Sequence, residues 1–220
     1  MQADMTSSPK ATKNLAILAM VSTLGTAYFV VVIAAMHFLR PDISAVQRPT
    51  SEYAVGSFGY LMTSAFVSLS LGSWALVIGL HRDLWRPGIH KAGLMLLGVW
   101  GVGLLIAAVF PIDLEGAPKT LAGTIHSING PLTFLSLVVG VNLVSRGFRQ
   151  HANWRPIYRF ASVLALLMIP VFVAGGVAAA RESGAGIAQR ILIVTFAAWF
   201  LITSARLRYN ATRAVLDSTT

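Results

Sequence analysis

Polar residues interrupt this chain only at long intervals, and six apolar stretches lie between the interruptions. They cover about 15–38, 57–80, 92–110, 126–145, 157–180 and 188–206. A helix needs ~20 mostly apolar residues to cross a bilayer, and every stretch is near or above that length. The pattern predicts an all-α polytopic membrane protein, a six-helix bundle forming one domain over about 14–207. An open sheet is excluded, because lipid would leave its edges unsatisfied. Residues 1–13 read as a disordered tail and 208–220 as a second tail. The run from Leu15 to Phe38 exceeds the about 7–15 residues of a signal-peptide core, so it is expected to stay as the first helix.

Small and polar residues inside these stretches mark the packed faces, since lipid offers no hydrophobic drive between helices. Helix 1 aligns Thr26, Val30, Ile33 and His37, and helix 2 aligns Ser57, Tyr60, Ser64 and Ser68. Helix 3 sets Gly98, Gly101 and Gly103 beside Trp100, and helix 4 carries His126, Asn129, Gly130, Thr133 and Gly140 on one stripe. Three of these stripes are polar at the same end, which predicts a shallow polar pocket there. The competing reading is that hydroxyls and glycines only let helices approach. In helix 5, Pro170 followed by Gly175 and Gly176 predicts a kink or a loosened second half.

Composition agrees with the pattern. Only 11% of residues are charged, against roughly 25% in soluble domains, and the mean hydropathy is +0.70. Assigning the connections alternately to two sides puts 12 of the 17 basic residues on the side of the N-terminus. The other side holds Arg40, Arg48, Lys119, Arg181 and Arg190, balanced by Asp42, Glu52, Asp113, Glu115 and Glu182. Lysine and arginine excess marks the cytoplasmic face, which predicts N-in, C-in topology in the cell membrane. The basic residues are spread over several segments without aromatic interleaving, so nucleic acid is not an expected partner. Membrane lipids are, and self-association into a homo-oligomer is left open. Trp85 and Trp154 read as interfacial anchors. The chain has no cysteine, which excludes disulfides and thiolate chemistry.

Candidate chemistry collects on the balanced side. Thr50 or Ser51 reads as an N-cap with Glu52 in the first turn, so helix 2 is expected to start near Ser51. His37 and His126 lie near one depth, at the ends of helices 1 and 4. With Asp113 they are candidate zinc ligands, leaving Glu52 as a candidate general base towards zinc-bound water. A haem between the two histidines is a less favoured alternative. Asp42 and Asp113 each follow a proline at a helix exit, where a carboxylate either closes a turn or serves a ligand. Arg40 and Arg181, with Asp42, Tyr53, Tyr60 and Asn129, form the candidate ligand-binding set, given that guanidinium suits phosphate and carboxylate.

Four elements in order, His37…Arg40-Pro41-Asp42, Ser51-Glu52-Tyr53-Ala54-x-Gly56-x-x-Gly59, Phe110-Pro111-Ile112-Asp113 and Gly123-x-x-His126, resemble the six-helix membrane family of unknown function DUF998. The likeness spans roughly 15–206. The Phe-Pro-x-Asp…His element is also similar to the Frag1/DRAM/Sfk1 membrane proteins, which implies a role in lipid handling. A fainter likeness runs to ceramidase-like zinc hydrolases, whose late histidine pair has no counterpart here. The favoured expectation is recognition of a lipid headgroup or small amphiphile in an outward polar pocket. A metal-dependent lipid hydrolase and a structural assembly subunit are the alternatives.

Overall fold

The computed structural model describes residues 9–84, 88 and 90–219, with side chains from Thr12 to Arg213 within those limits. Six helices follow one another: α1 (Pro9–Leu39), α2 (Gly59–Asp83), α3 (His90–Val109), α4 (Leu121–Phe148), α5 (Arg155–Ala180) and α6 (Ala185–Thr219). A short 3₁₀ helix, Thr50–Ala54, precedes α2, and no strand occurs among the described residues. Each of the six helices contains a stretch long and apolar enough to cross a membrane. The protein is therefore an all-helical, multi-pass membrane protein.

Each helix packs on the next, and α6 closes the ring by returning to α1. Polar bonds tie the ring across its interior. Ser204 donates to Ser22 at 2.8 Å, Ser70 to the Gly101 carbonyl at 2.7 Å, and the Trp199 indole to Ser145 at 2.9 Å. Such bonds average only about 0.6 kcal/mol in a membrane, so close packing supplies most of the cohesion. The buried side chains Trp100, Trp199, Phe196, Leu69 and Leu76 form the centre of that packing.

Helix ends depart from the apolar stretches in two ways. α1 starts at Pro9 and α6 runs to Thr219, because charged residues can continue a helix into water. The expected start of helix 2 near Ser51 is corrected. Thr50–Ala54 is a separate 3₁₀ turn, and positive φ at Gly56 (79°) and Phe58 (61°) breaks the chain before Gly59. Trp85 lies outside the described residues. Trp154 is not an interfacial anchor. It is buried, stacked on Phe148 at 4.6 Å, and its indole donates to Asp83 at 2.6 Å. α5 continues through Pro170 without a break, yet its only buried residues are Ala161, Ala165 and Met168. The loosening expected of its second half appears as missing packing.

The ring has two ends. One carries both chain termini and the turns after α2 and α4. The other, here the long-loop end, carries residues 40–58, 110–120 and 181–184.

Candidate functional site

Two loops are clipped down at the long-loop end. The first, residues 40–58, lies across the start of α6. The Ile187 N–H donates to the Val46 carbonyl at 3.1 Å, and the Gly184 N–H to the Gln47 side chain at 2.7 Å. A Cβ on Gly186 would sit 2.6 Å from the Arg48 carbonyl, so only glycine lets this loop lie so close. Gln189 of α6 accepts from the Thr50 N–H at 2.7 Å and from the Thr50 hydroxyl at 3.2 Å. Arg190 reaches up to donate to the Arg48 carbonyl at 2.9 Å, the Tyr53 hydroxyl at 3.1 Å and His37 Nε2 at 2.9 Å.

The second clip is made by the Phe-Pro-Ile-Asp segment. Asp113 accepts from the Thr120 N–H at 2.8 Å and the Thr120 hydroxyl at 2.7 Å. The Thr120 oxygen in turn accepts from the Gly123 N–H at 3.0 Å, which caps α4. Gly123 has no side chain because the Asp113 carboxylate occupies that space. One turn later His126 bonds the Phe110 carbonyl through Nδ1 at 2.8 Å. Asp113, Gly123 and His126 thus hold one loop on one helix. The Thr120 donors keep the Asp113 carboxyl below the usual carboxylate range.

Several charges at this end are spent on one another. Arg40 forks onto Asp42 at 2.8 Å and donates to the Val55 carbonyl at 2.7 Å. The pairing raises Arg40 and lowers Asp42 from their ordinary values. Arg48 pairs with Glu52 at 2.8 Å and also with Glu115. The buried Glu52 thus faces an arginine rather than a histidine.

The metal expectation meets a chemical obstacle. His37 bonds the Ile33 carbonyl through Nδ1 at 2.6 Å, and its Nε2 accepts from Arg190. A carbonyl only accepts, so Nδ1 carries the proton, and Nε2 offers its lone pair to a guanidinium. A cation on that nitrogen would have to displace another cation. Among the described residues no three His, Asp or Glu side chains converge as a metal set. His37, Asp113 and His126 are anchors with separate partners, and the same bonds speak against haem ligation by His37. Zinc-assisted hydrolysis with Glu52 as base therefore finds no assembled geometry.

Between the two clips lies a cavity of about 440 Å³, within the ~300–1,000 Å³ typical of small-molecule sites. Its inner wall is aromatic. Trp100 packs edge-on to Phe196 at 5.3 Å and beside Phe134 at 5.5 Å, with Phe29 and Phe66 adjoining. Pro49, Thr50, Ser51 and Ile112 from the two loops roof it. His126, Ser127, Asn129 and Thr133 of α4 line one side, and Gln189 of α6 another. The remaining wall is the loosely packed half of α5, including Phe172, Gly175 and Gly176. A Cβ added to Gly130 or Gly176, both on the cavity lining, would meet nothing within 4 Å.

The expected polar pocket is therefore an apolar cavity with a few polar groups near its loop roof. Of the expected ligand-binding residues only Asn129 lines it, joined by His126 from the metal set. Arg40, Asp42 and Tyr53 serve the 40–58 loop, while Tyr60 and Arg181 are exposed away from the cavity. The helix 4 stripe does line the cavity over 126–133. Gln189 and Ser127 went unnoticed in the sequence. A lone amide one turn into an apolar helix was the available signal for Gln189.

A family model described as a protein of unknown function (DUF998) matches residues 23–206. The chain belongs to this family. No curated protein and no solved structure matches it.

Proposed function

From that membership and the cavity, we propose that this protein binds an amphiphile from the membrane. The apolar body of the ligand occupies the space between α3, α4, α5 and α6, and its polar end meets the roof below Thr50 and Ser51. The observation that carries this reading is the aromatic-walled cavity whose side wall, α5 beyond Pro170, has no buried residue. Access from lipid through that wall needs no loop to unfold, whereas the roof is held by at least six hydrogen bonds to α6 and α4. The proposal places the cavity in the outer leaflet of the cell membrane, following the charge asymmetry. It replaces headgroup capture by arginine, because Arg40 and Arg48 are paired and, among the described residues, no charged side chain lines the cavity.

The test is occlusion. Gly130→Leu and Gly176→Leu grow side chains into open space at the cavity wall, so folding should be kept. Lipids co-purifying with the wild type, measured by mass spectrometry of the protein in mild detergent, should include an amphiphile that both variants lose at least tenfold. Equal retention by wild type and folded variants would remove the cavity from consideration as a binding site.

A further inference from the structure

The polar end of the cavity points to the class of amphiphile. Two facts frame the choice. First, a hydrocarbon chain gains little on moving from lipid tails into an apolar cavity, since both are equally dry. The chain gives affinity no sign, and the headgroup decides which membrane component is taken. Second, a buried charge without a partner costs several kcal/mol. Among the described residues the cavity lining offers no lysine, arginine, aspartate or glutamate.

The polar groups that do line it are complementary to a neutral group. His126 is 7% exposed, and its Nδ1 proton is committed to the Phe110 carbonyl, so Nε2 remains as an acceptor. Gln189 has its carbonyl oxygen committed to Thr50, so its Nε2 remains as a donor. Asn129 bonds neighbouring helix groups at both ends, donating to the Gly103 carbonyl at 2.9 Å and accepting from Thr133 at 3.1 Å. Arg190, one residue beyond Gln189, directs its donors to His37, Tyr53 and two loop or helix carbonyls instead. An acceptor and a donor without a charge match a hydroxyl, which is both donor and acceptor.

Resting on the amphiphile reading above, we propose that the ligand is an uncharged, hydroxyl-ended amphiphile, of the long-chain alcohol or acylglycerol class, whose head is held by His126 and Gln189. Anionic amphiphiles of the same chain are discriminated against because they would bring an unpaired charge under the roof.

The test is a competition at constant chain length. Purified protein in mild detergent is offered monoolein, oleyl alcohol, oleate and oleoyl lysophosphatidate, and retention is read by native mass spectrometry. The two neutral probes should be retained at least tenfold better than either anion. Two variants check the assignment of the head. His126→Phe keeps an aromatic ring and removes the acceptor, and should lower retention of monoolein and oleyl alcohol at least fivefold while the anions stay excluded. Gln189→Lys places a cation in the lining and should raise oleate retention at least fivefold, which keeps the assignment testable if the first variant fails to fold. Oleate or lysophosphatidate binding as well as monoolein in the wild type would overturn the neutral-head assignment while leaving amphiphile binding intact. If no probe is retained, or Gly130→Leu retains all of them, the cavity reading itself fails along with it.

Discussion

Asp113 shows how a conspicuous residue can be structural. In the sequence it is a carboxylate after a proline at a helix exit, equally readable as turn-former or as ligand. Its two bonds to Thr120 decide for the turn-former. Those bonds depress its pKa, with the Thr120 N–H the larger cause and the hydroxyl the next. The sign follows from linkage. A group whose folded-state pKa lies below its unfolded value contributes stability that is complete above the unfolded pKa, about 3.9. That contribution is lost as pH falls through the lower folded value. Asp42, lowered by its bond to Arg40, adds to the same acid limb. Asp113→Asn should therefore lower thermal stability near neutral pH and flatten its fall below about pH 4. Thermal unfolding in detergent across pH 3–7, compared with the wild type, checks both parts. An unchanged acid limb would contradict the role given to this carboxylate. The two histidines were legible as unusual but not in their roles. Ring nitrogens facing Ile33, Phe110 and Arg190 are tertiary facts that no spacing encodes.

At the scale of elements, the six helices were readable because lipid imposes one simple rule, an apolar run of sufficient length. The loops were not, because their order comes from bonds to distant helices. The Thr50–Ala54 turn is held by Gln189, 139 residues away from Thr50 in the chain. This chain's Phe-Pro-Ile-Asp…Gly-x-x-His element has a compact physical explanation: a carboxylate that holds the Thr120 cap, a space for that carboxylate and a tether. That explanation predicts coupling. Gly123→Ala should destabilise by about 1–3 kcal/mol, the usual cost of overpacking, because its Cβ meets the Asp113 carboxylate. In an Asp113→Ala background the same change should cost much less, since the obstruction has gone. A double-mutant cycle on thermal or denaturant stability measures this. Additive effects would mean that Gly123 is small for another reason. The same scale explains why a cavity was foreseen with the wrong lining. The stripe of helix 4 is visible as a spacing in the sequence, but the aromatic wall, built from α1, α2, α3, α4 and α6, appears only once the ring closes.

For the whole molecule, the charge asymmetry and the cavity make a joint claim about sidedness. The long-loop end balances its charges and forms ion pairs within and between its loops. The end with the termini carries most of the arginines, including exposed Arg149 and Arg155. Translocating that basic end would oppose the positive-inside bias, so the cavity should open in the outer leaflet. The chain lends itself to a direct measurement, since it has no cysteine to remove. Ala117 and Ala152 are both exposed and lie on connections at opposite ends of the ring. Ala117→Cys should react with a membrane-impermeant maleimide on intact cells, whereas Ala152→Cys should react only after permeabilisation. The reverse pattern would turn the molecule over and move the cavity to the inner leaflet, where the pool of available amphiphiles differs. Labelling at both positions on intact cells would contradict a single topology. Sidedness therefore bears on function as well as orientation. On the proposed amphiphile reading, it would decide which leaflet supplies the ligand, while the uncharged lining would decide which component of that leaflet enters.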